Sequence, residues 1–148
     1  MRRSIIPDVI QEHSVQTLKA DDSALLAANT MKESNIAAVL IVDDDGMLQG
    51  IVTERDLTRR IIAAGLDPNE TPLADIMTAN PSTLDPSDSV VEAMEVMRKG
   101  RLRHLPVRKD DKVLGMVSIR DLFAAVQADL EDDIKETEAF VFGDRYSA

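Results

Sequence analysis

Two hydrophobic periods alternate along this chain, and their order occurs twice. A short extended segment, Val15-Gln16-Thr17-Leu18, precedes a stretch in which Leu25, Leu26, Ala28 and Met31 recur at helical spacing behind Ser23. An apolar run follows from Ile36 to Val42, then the polar turn Asp43-Asp44-Asp45-Gly46, then a second run from Leu48 to Val52. Two such runs about a Gly-containing turn predict a β-hairpin. A helix is expected from Asp56 to Ala64, ended by Gly65. The series then returns. Pro81-Ser82-Thr83-Leu84 is the extended segment, and a helix behind Ser89 carries Val90, Val91, Met94 and Met97 and ends at Gly100. Strands are expected at Leu102 to Val107 and Val113 to Val117, about the turn Lys109-Asp110-Asp111-Lys112, and a last helix starts at Asp121. Ser89 with Glu92 three residues on is a capping box.

Register shows that the recurrence is a repeat. At an offset of 66, Thr17-Leu18 returns as Thr83-Leu84, Asp22-Ser23 as Asp88-Ser89, Ala27 as Ala93 and Met31 as Met97. At an offset of 65, Gly50-Ile51-Val52-Thr53-Glu54-Arg55-Asp56-Leu57 returns as Gly115-Met116-Val117-Ser118-Ile119-Arg120-Asp121-Leu122. Self-similarity held over that length marks two copies of one unit. They span 8–65 and 75–128, with a connection at 66–74 marked by Pro68, Thr71 and Pro72 and an acidic tail at 129–148. Each copy reads β-α-β-β-α, so the fold class is α/β. A lone copy is marginal in size and leaves one sheet face bare, and two copies packed face to face cover it.

Composition narrows the function. The chain has 148 residues, 44% of them hydrophobic and 30% charged, an ordinary globular balance. With no Cys and only His13 and His104, thiol chemistry and a His-rich metal centre are excluded. A net charge of −10, three Phe, one Tyr and no Trp argue against nucleic-acid binding. No apolar run approaches the roughly 20 residues of a membrane span, and the N-terminus does not read as a secretory signal, so a cytoplasmic protein is expected. Charge is uneven. Residues 129–148 hold seven acidic and two basic residues, whereas Arg98, Lys99, Arg101, Arg103, Arg108 and Lys109 form a cationic cluster with no acid among them. Asp43-Asp44-Asp45-Gly46 lacks the spaced ligands of a calcium loop and reads as a solvated turn. The tail repeats Leu130, Ile134 and Val141 at near-helical spacing, and either extends the last helix or is free after Thr137.

The motif that closes both copies, Gly-apolar-apolar-(Thr/Ser)-x-Arg-Asp-Leu, supports two readings. A hydroxyl residue followed three positions later by an acid is a helix N-terminus, with the carboxylate at the positive end of the dipole. The same geometry offers free backbone N–H groups, a carboxylate able to accept from a vicinal diol such as a ribose, and an Arg that reaches a phosphate.

The sequence resembles a tandem pair of CBS domains, a Bateman module, over about 8–128. The resemblance is carried by the two closing motifs, by Leu105-Pro106-Val107 before the second hairpin, and by Asp75-Ile76-Met77-Thr78 at the opening of the second copy. It implies two repeats packed about a pseudo-two-fold axis with a cleft on either side. It also implies a regulatory ligand containing adenosine, namely AMP, ADP, ATP or S-adenosylmethionine, with no required cofactor and no catalytic or metal-ligating residue. Carried over, one cleft combines Thr53 and Asp56 with Met77, Thr78, Ser82, Leu102 and His104. The other combines Ser118 and Asp121 with Gln16, Ile36 and Ala38. Arg55 and Arg120 sit beside the carboxylates. Arg101, Arg103 and His104, where the first copy has Asn35, Ala37 and Ala38, are either a solvated basic edge that balances acids elsewhere or, on the resemblance, a receptor for phosphate, which makes the clefts unequal.

The expected function is that of a regulatory module, not an enzyme, since no nucleophile has an identifiable base and each motif Asp comes with an Arg that keeps it ionised. A homodimer is expected through apolar residues of the second helices, Leu57, Ile61 and Ile62 with Leu122, Phe123 and Val126. The regulated target is unknown. The alternative is a scaffold or interaction protein, without ligand, that works through its dimer surface and acidic tail.

Overall fold

The computed structural model describes the backbone over residues 2–146 and the side chains over residues 2–141. Each copy is built on an antiparallel hairpin. In the first, β2 (Ala38–Val42) pairs with β3 (Leu48–Thr53), with Ala38 opposite Thr53 and Leu40 opposite Ile51. β1 (Thr17–Leu18) lies parallel to β2, and β4 (Thr78–Ala79) lies antiparallel to β3, giving a sheet ordered β1-β2-β3-β4. In the second, β5 (His104–Lys109) pairs with β6 (Lys112–Ser118), and Leu84 bridges Val107 in parallel, in the place that β1 holds in the first copy.

Helices α1 (Ala24–Ser34) and α3 (Val90–Gly100) precede the hairpins. After β3, α2 (Glu54–Leu57) runs on as a π-helical turn, Thr58–Ile62; after β6 comes α4 (Ile119–Tyr146). The capping chemistry is as expected. Ser23 Oγ accepts from Leu26 N, and Ser89 and Glu92 form a reciprocal box that holds the Glu92 carboxyl below its usual range, chiefly through the Ser89 N–H. Gly100, expected to end α3, is instead its last helical residue. Arg101 takes the left-handed position at φ 53°, as Asn35 does after α1 at φ 53°. The buried helix face also differs. α1 buries Ala24, Ala27 and Met31 and leaves Leu25 and Leu26 at the surface, and α3 buries Val90, Ala93 and Met97 and leaves Val91 exposed. Small Ala side chains let the helix lie close to the sheet.

Each copy has its own core, and a third cluster joins them. Met31, Val39, Ile41 and Val52 lie in the first core, and Met97, Leu105, Val107 and Val117 in the second. Ala38, Leu40 and Ile51 point the other way and meet Val113 and Met116 of the second copy. Because side chains alternate along a strand, β2 needs an apolar residue at every position: one face serves the helices, the other the partner copy.

The segments before the copies are crossed. Leu73 and Ile76, on either side of the start of the second copy, are buried in the first core, and β4 adds a strand to β3. Ile5, at the start of the chain, is fully buried in the second core, where its N–H donates to Asp88 O; His13 N donates to Leu114 O. Gly50 and Gly115 permit this exchange. A Cβ on Gly50 would stand 2.5 Å from Met77 Sδ and 3.0 Å from the Thr78 carbonyl oxygen, and one on Gly115 would stand 2.9 Å from the His13 ring. The motif glycines thus accommodate a crossing segment of the protein itself.

Candidate functional site

The site begins where β3 stops. β-Branched Ile51 and Val52 hold the strand, and Thr53 leaves it as the N-cap of α2. Thr53 Oγ1 accepts from Asp56 N at 3.3 Å, and Asp56 Oδ2 accepts from Thr53 N at 2.9 Å and from Thr53 Oγ1 at 3.1 Å. One carboxylate oxygen therefore completes a capping box. The other, Oδ1, lies 3.8 Å from Arg60 Nε, and Arg60 is held in turn by a 2.9 Å bond to the Ile76 carbonyl. The second motif repeats this geometry. Asp121 Oδ2 accepts from Ser118 N at 2.8 Å and from Ser118 Oγ at 3.0 Å. Both capping and diol recognition are open to such a carboxylate, because each uses a different oxygen.

The second copy closes the site from across the molecule. The left-handed Arg101 turns the chain from α3 toward β5, which brings Leu102, Arg103 and His104 opposite α2. Arg55 crosses the gap, donating to the Arg101 carbonyl at 3.1 Å. The result is a cavity of about 360 Å³ between the copies. Of the residues expected there, Thr53, Arg55, Asp56, Thr78, Leu102, Arg103 and His104 line it. Met77 instead packs beneath, against the first core, and Ser82 is exposed at the surface outside the lining.

The lining also holds residues that the sequence reading did not place there: Ala37, Ile51, Glu54, Arg59, Arg60 and Gly100, with Arg101 as anticipated. Arg59 and Arg60 follow Arg55 and Asp56 by four residues, one turn further along the same element, so the helical spacing itself was the available signal. Arg55, Arg59, Arg101 and Arg103 have no carboxylate ion-pair partner among the described residues. The cavity is thus a cationic pocket, five arginines against the two carboxylates Glu54 and Asp56, with apolar Ile51, Ala37 and Leu102 as its surfaces.

His104 stands between the two motifs. Burial pushes its pKa below the ordinary imidazole value; Glu54 and Asp121, one from each copy, pull upward less strongly, and Arg103 adds to the lowering. The other expected set lies elsewhere. Gln16 is exposed, with its carbonyl accepting from Leu40 N; Ile36 packs on the first core; Ala38 is buried between the copies. Ser118, Arg120 and Asp121 do not line the cavity described above. Ala37, paired in sequence with Arg103, lies in the same cavity as Arg103, because both stand near the centre of the module.

The helices expected to present spare apolar residues are mostly satisfied within the chain. Ile61 and Leu122 are core residues and Leu57 and Val126 pack against the cores, which leaves Ile62 and Phe123 exposed. Among the described residues no helix is long and apolar enough to cross a membrane, and no group of three or more His, Asp or Glu could hold a metal ion.

Comparison with known proteins agrees with this architecture. The family model "CBS domain" matches residues 4–63 and 73–128. The chain is 36% identical over 127 residues to the mitochondrial CBS domain-containing protein CBSX3 of Arabidopsis thaliana, covering 83% of this chain and 62% of that protein. It therefore spans less than two thirds of that relative. It is 40% identical over 107 residues to YlbB of Bacillus subtilis, covering 72% of each. Among solved structures, a CBS-domain protein of Burkholderia ambifaria aligns with a TM-score of 0.74 at 39% identity, over 78% of this chain and 85% of that one. A hexameric CBS-CP12 protein from bloom-forming cyanobacteria aligns with a TM-score of 0.70 at 25% identity, over 74% of this chain and 61% of that one. Proteins of this kind are generally regulatory, ligand-binding modules. Two copies of the unit, each closed by the same capped motif and joined through their sheets, place the chain in the CBS-domain family.

Proposed function

We propose that the chain is a cytoplasmic regulatory module that binds a phosphorylated adenosine nucleotide in the cleft lined by Thr53 and Asp56. The observation that carries this reading is the composition of that cleft. A carboxylate with one oxygen left outside its capping box stands at one side, and arginines from both copies stand around it. A ribose diol suits the first, a phosphate the second, and a flat base suits the apolar walls. Guanidinium groups offset the cost of taking phosphate out of water through bidentate, charge-assisted bonds. A cavity of about 360 Å³ is of the size that small ligands occupy. Binding bridges the copies, since Arg55 and Asp56 come from one and Arg103 and His104 from the other, and a ligand there reports its presence by changing how the copies sit together. AMP, ADP and ATP fit the arginines; S-adenosylmethionine, with a cationic sulfonium, fits them less well. We further propose that the module pairs with a second copy through the surface that bears Ile62 and Phe123.

The test is a thermal-shift series with adenosine, AMP, ADP, ATP and S-adenosylmethionine. A ligand present at 100 times its dissociation constant adds about 2.7 kcal/mol of stability. A shift with the nucleotides that exceeds the shift with adenosine supports the reading. No shift with any of the five, up to millimolar concentration, leaves the ligand-free scaffold as the better account.

A further inference from the structure

We propose that α4 beyond Asp129 is a docking helix for a basic amphipathic helix of a partner protein. Every described residue from Leu130 to Val141 is exposed, and apart from the Arg3–Asp132 ion pair no hydrogen bond or ion pair among the described residues ties this part of the helix to another element of the module. It nevertheless carries an apolar seam. Leu130, Ile134, Thr137 and Val141 are separated by four, three and four residues, the spacing that keeps one face toward a partner helix. Leu130 and Ile134 are each 57% exposed and Val141 47%. Leu130, Ile134 and Thr137 form a shallow groove together with Asp133 and Glu138.

Charge selects the occupant. The positions that border the seam hold Glu131, Asp133 and Glu138, and none of these is in an ion pair among the described residues. Of the cations nearby, Lys135 stands further round the helix, outside the positions that border the seam, and Arg3 pairs with Asp129 and, at 3.2 Å, with Asp132, which ties the root of the helix to the start of the chain. A second copy is a poor occupant. In a parallel pair Asp133 faces Glu138 of the other helix, five residues on, and in an antiparallel pair the same acidic flanks meet each other. Like charges so placed oppose association. A helix with an apolar seam flanked by Lys or Arg fills the groove and pairs with the three free carboxylates at once.

The experiment uses the full chain and two three-heptad peptides with Leu along the seam, one flanked by Lys and one by Glu, followed by fluorescence anisotropy. The Lys-flanked peptide is expected to bind on the order of tenfold or more tighter than the Glu-flanked one, with the gap closing at about 1 M salt. Ile134→Asp should abolish binding while the helical circular dichroism persists. A Glu131→Lys, Glu138→Lys double variant should reverse the preference. Equal affinity for both peptides, or no binding of the Lys-flanked one, overturns the proposal. Sedimentation showing self-association that Ile134→Asp removes also overturns it, by making a second copy the occupant.

Discussion

On the proposed function Asp56 has two separable duties, capping and ligand binding, and two substitutions tell them apart. Its Oδ2 receives the Thr53 N–H at 2.9 Å and the Thr53 hydroxyl at 3.1 Å, and its Oδ1, 3.8 Å from Arg60 Nε, is the oxygen proposed to meet a ligand. Asp56→Ala removes both duties. The Thr53 N–H loses its acceptor and the helix its first-turn acid, a stability cost of about 0.5–2 kcal/mol on the scale of capping losses. Binding of AMP should weaken by about 1.5–3 kcal/mol, the value of hydrogen bonds to a charged acceptor, or roughly 10- to 150-fold in affinity. Asp56→Asn keeps an oxygen for the Thr53 N–H and loses the charge. Its stability should fall by less than about 0.5 kcal/mol, since the capping geometry survives. Its affinity for AMP should still drop by about 1.5–3 kcal/mol, because the group left facing the ligand is an amide NH2, which cannot accept from the diol hydroxyls as the carboxylate oxygen does. Calorimetric titration with AMP and thermal unfolding of both variants give the four numbers. If Asp56→Asn binds AMP like the wild type while Asp56→Ala is only less stable, the carboxylate is a cap and nothing more.

Arg103→Ala should reduce affinity for AMP more than for adenosine, and the wild-type affinity for AMP should fall as salt rises; equal losses for both ligands would remove Arg103 from the phosphate end. His104 is lowered mainly by burial, so its contribution to stability is complete above the ordinary pKa of 6.5 and is lost as pH falls through its lowered folded value. Melting temperature should therefore drop below pH 6.5, and His104→Gln should flatten that part of the curve. Ile5→Ala should cost about 2–5 kcal/mol in a denaturant titration, because Ile5 is fully buried in the second core; a loss under about 1 kcal/mol would show the N-terminal segment to be dispensable. Light scattering at micromolar concentration should report about twice the chain mass of 16.3 kDa, and Phe123→Asp should return it toward the monomer.

Much of the molecule was legible in its residues because the information was local or repeated. The hairpins, the Ser89–Glu92 box and the Thr53–Asp56 box follow from spacing within a few residues, and the offsets of 66 and 65 gave the two-copy plan. The resemblance carried by the closing motifs led to Thr53, Asp56, Met77, Thr78, Ser82, Leu102 and His104 as one set, of which all but Met77 and Ser82 line one cavity. Local patterning was less sure about which side of a helix is buried. Leu25 and Leu26 look like core and lie outside, because the sheet's closeness rewards Ala24 and Ala27.

What tertiary structure alone decided is everything that depends on two distant segments meeting. Nothing near Ile5 indicates that it enters the second core together with Ile6, Val9 and Ile10, nor does anything near Leu73 indicate that it enters the first together with Ile76; each segment is apolar, but its neighbours do not say which copy it covers. Helical spacing puts Arg59 and Arg60 on the side of Arg55 and Asp56, but that this side faces Leu102, Arg103 and His104 of the other copy is decided by the tertiary structure. His104 was legible as a site residue, but its lowered pKa, which burial causes, was not. Sequence periodicity reports which face of an element is apolar, since that face is set by residues a few positions apart. Which element covers that face is set by packing between copies, and neighbouring residues along the chain carry no record of it.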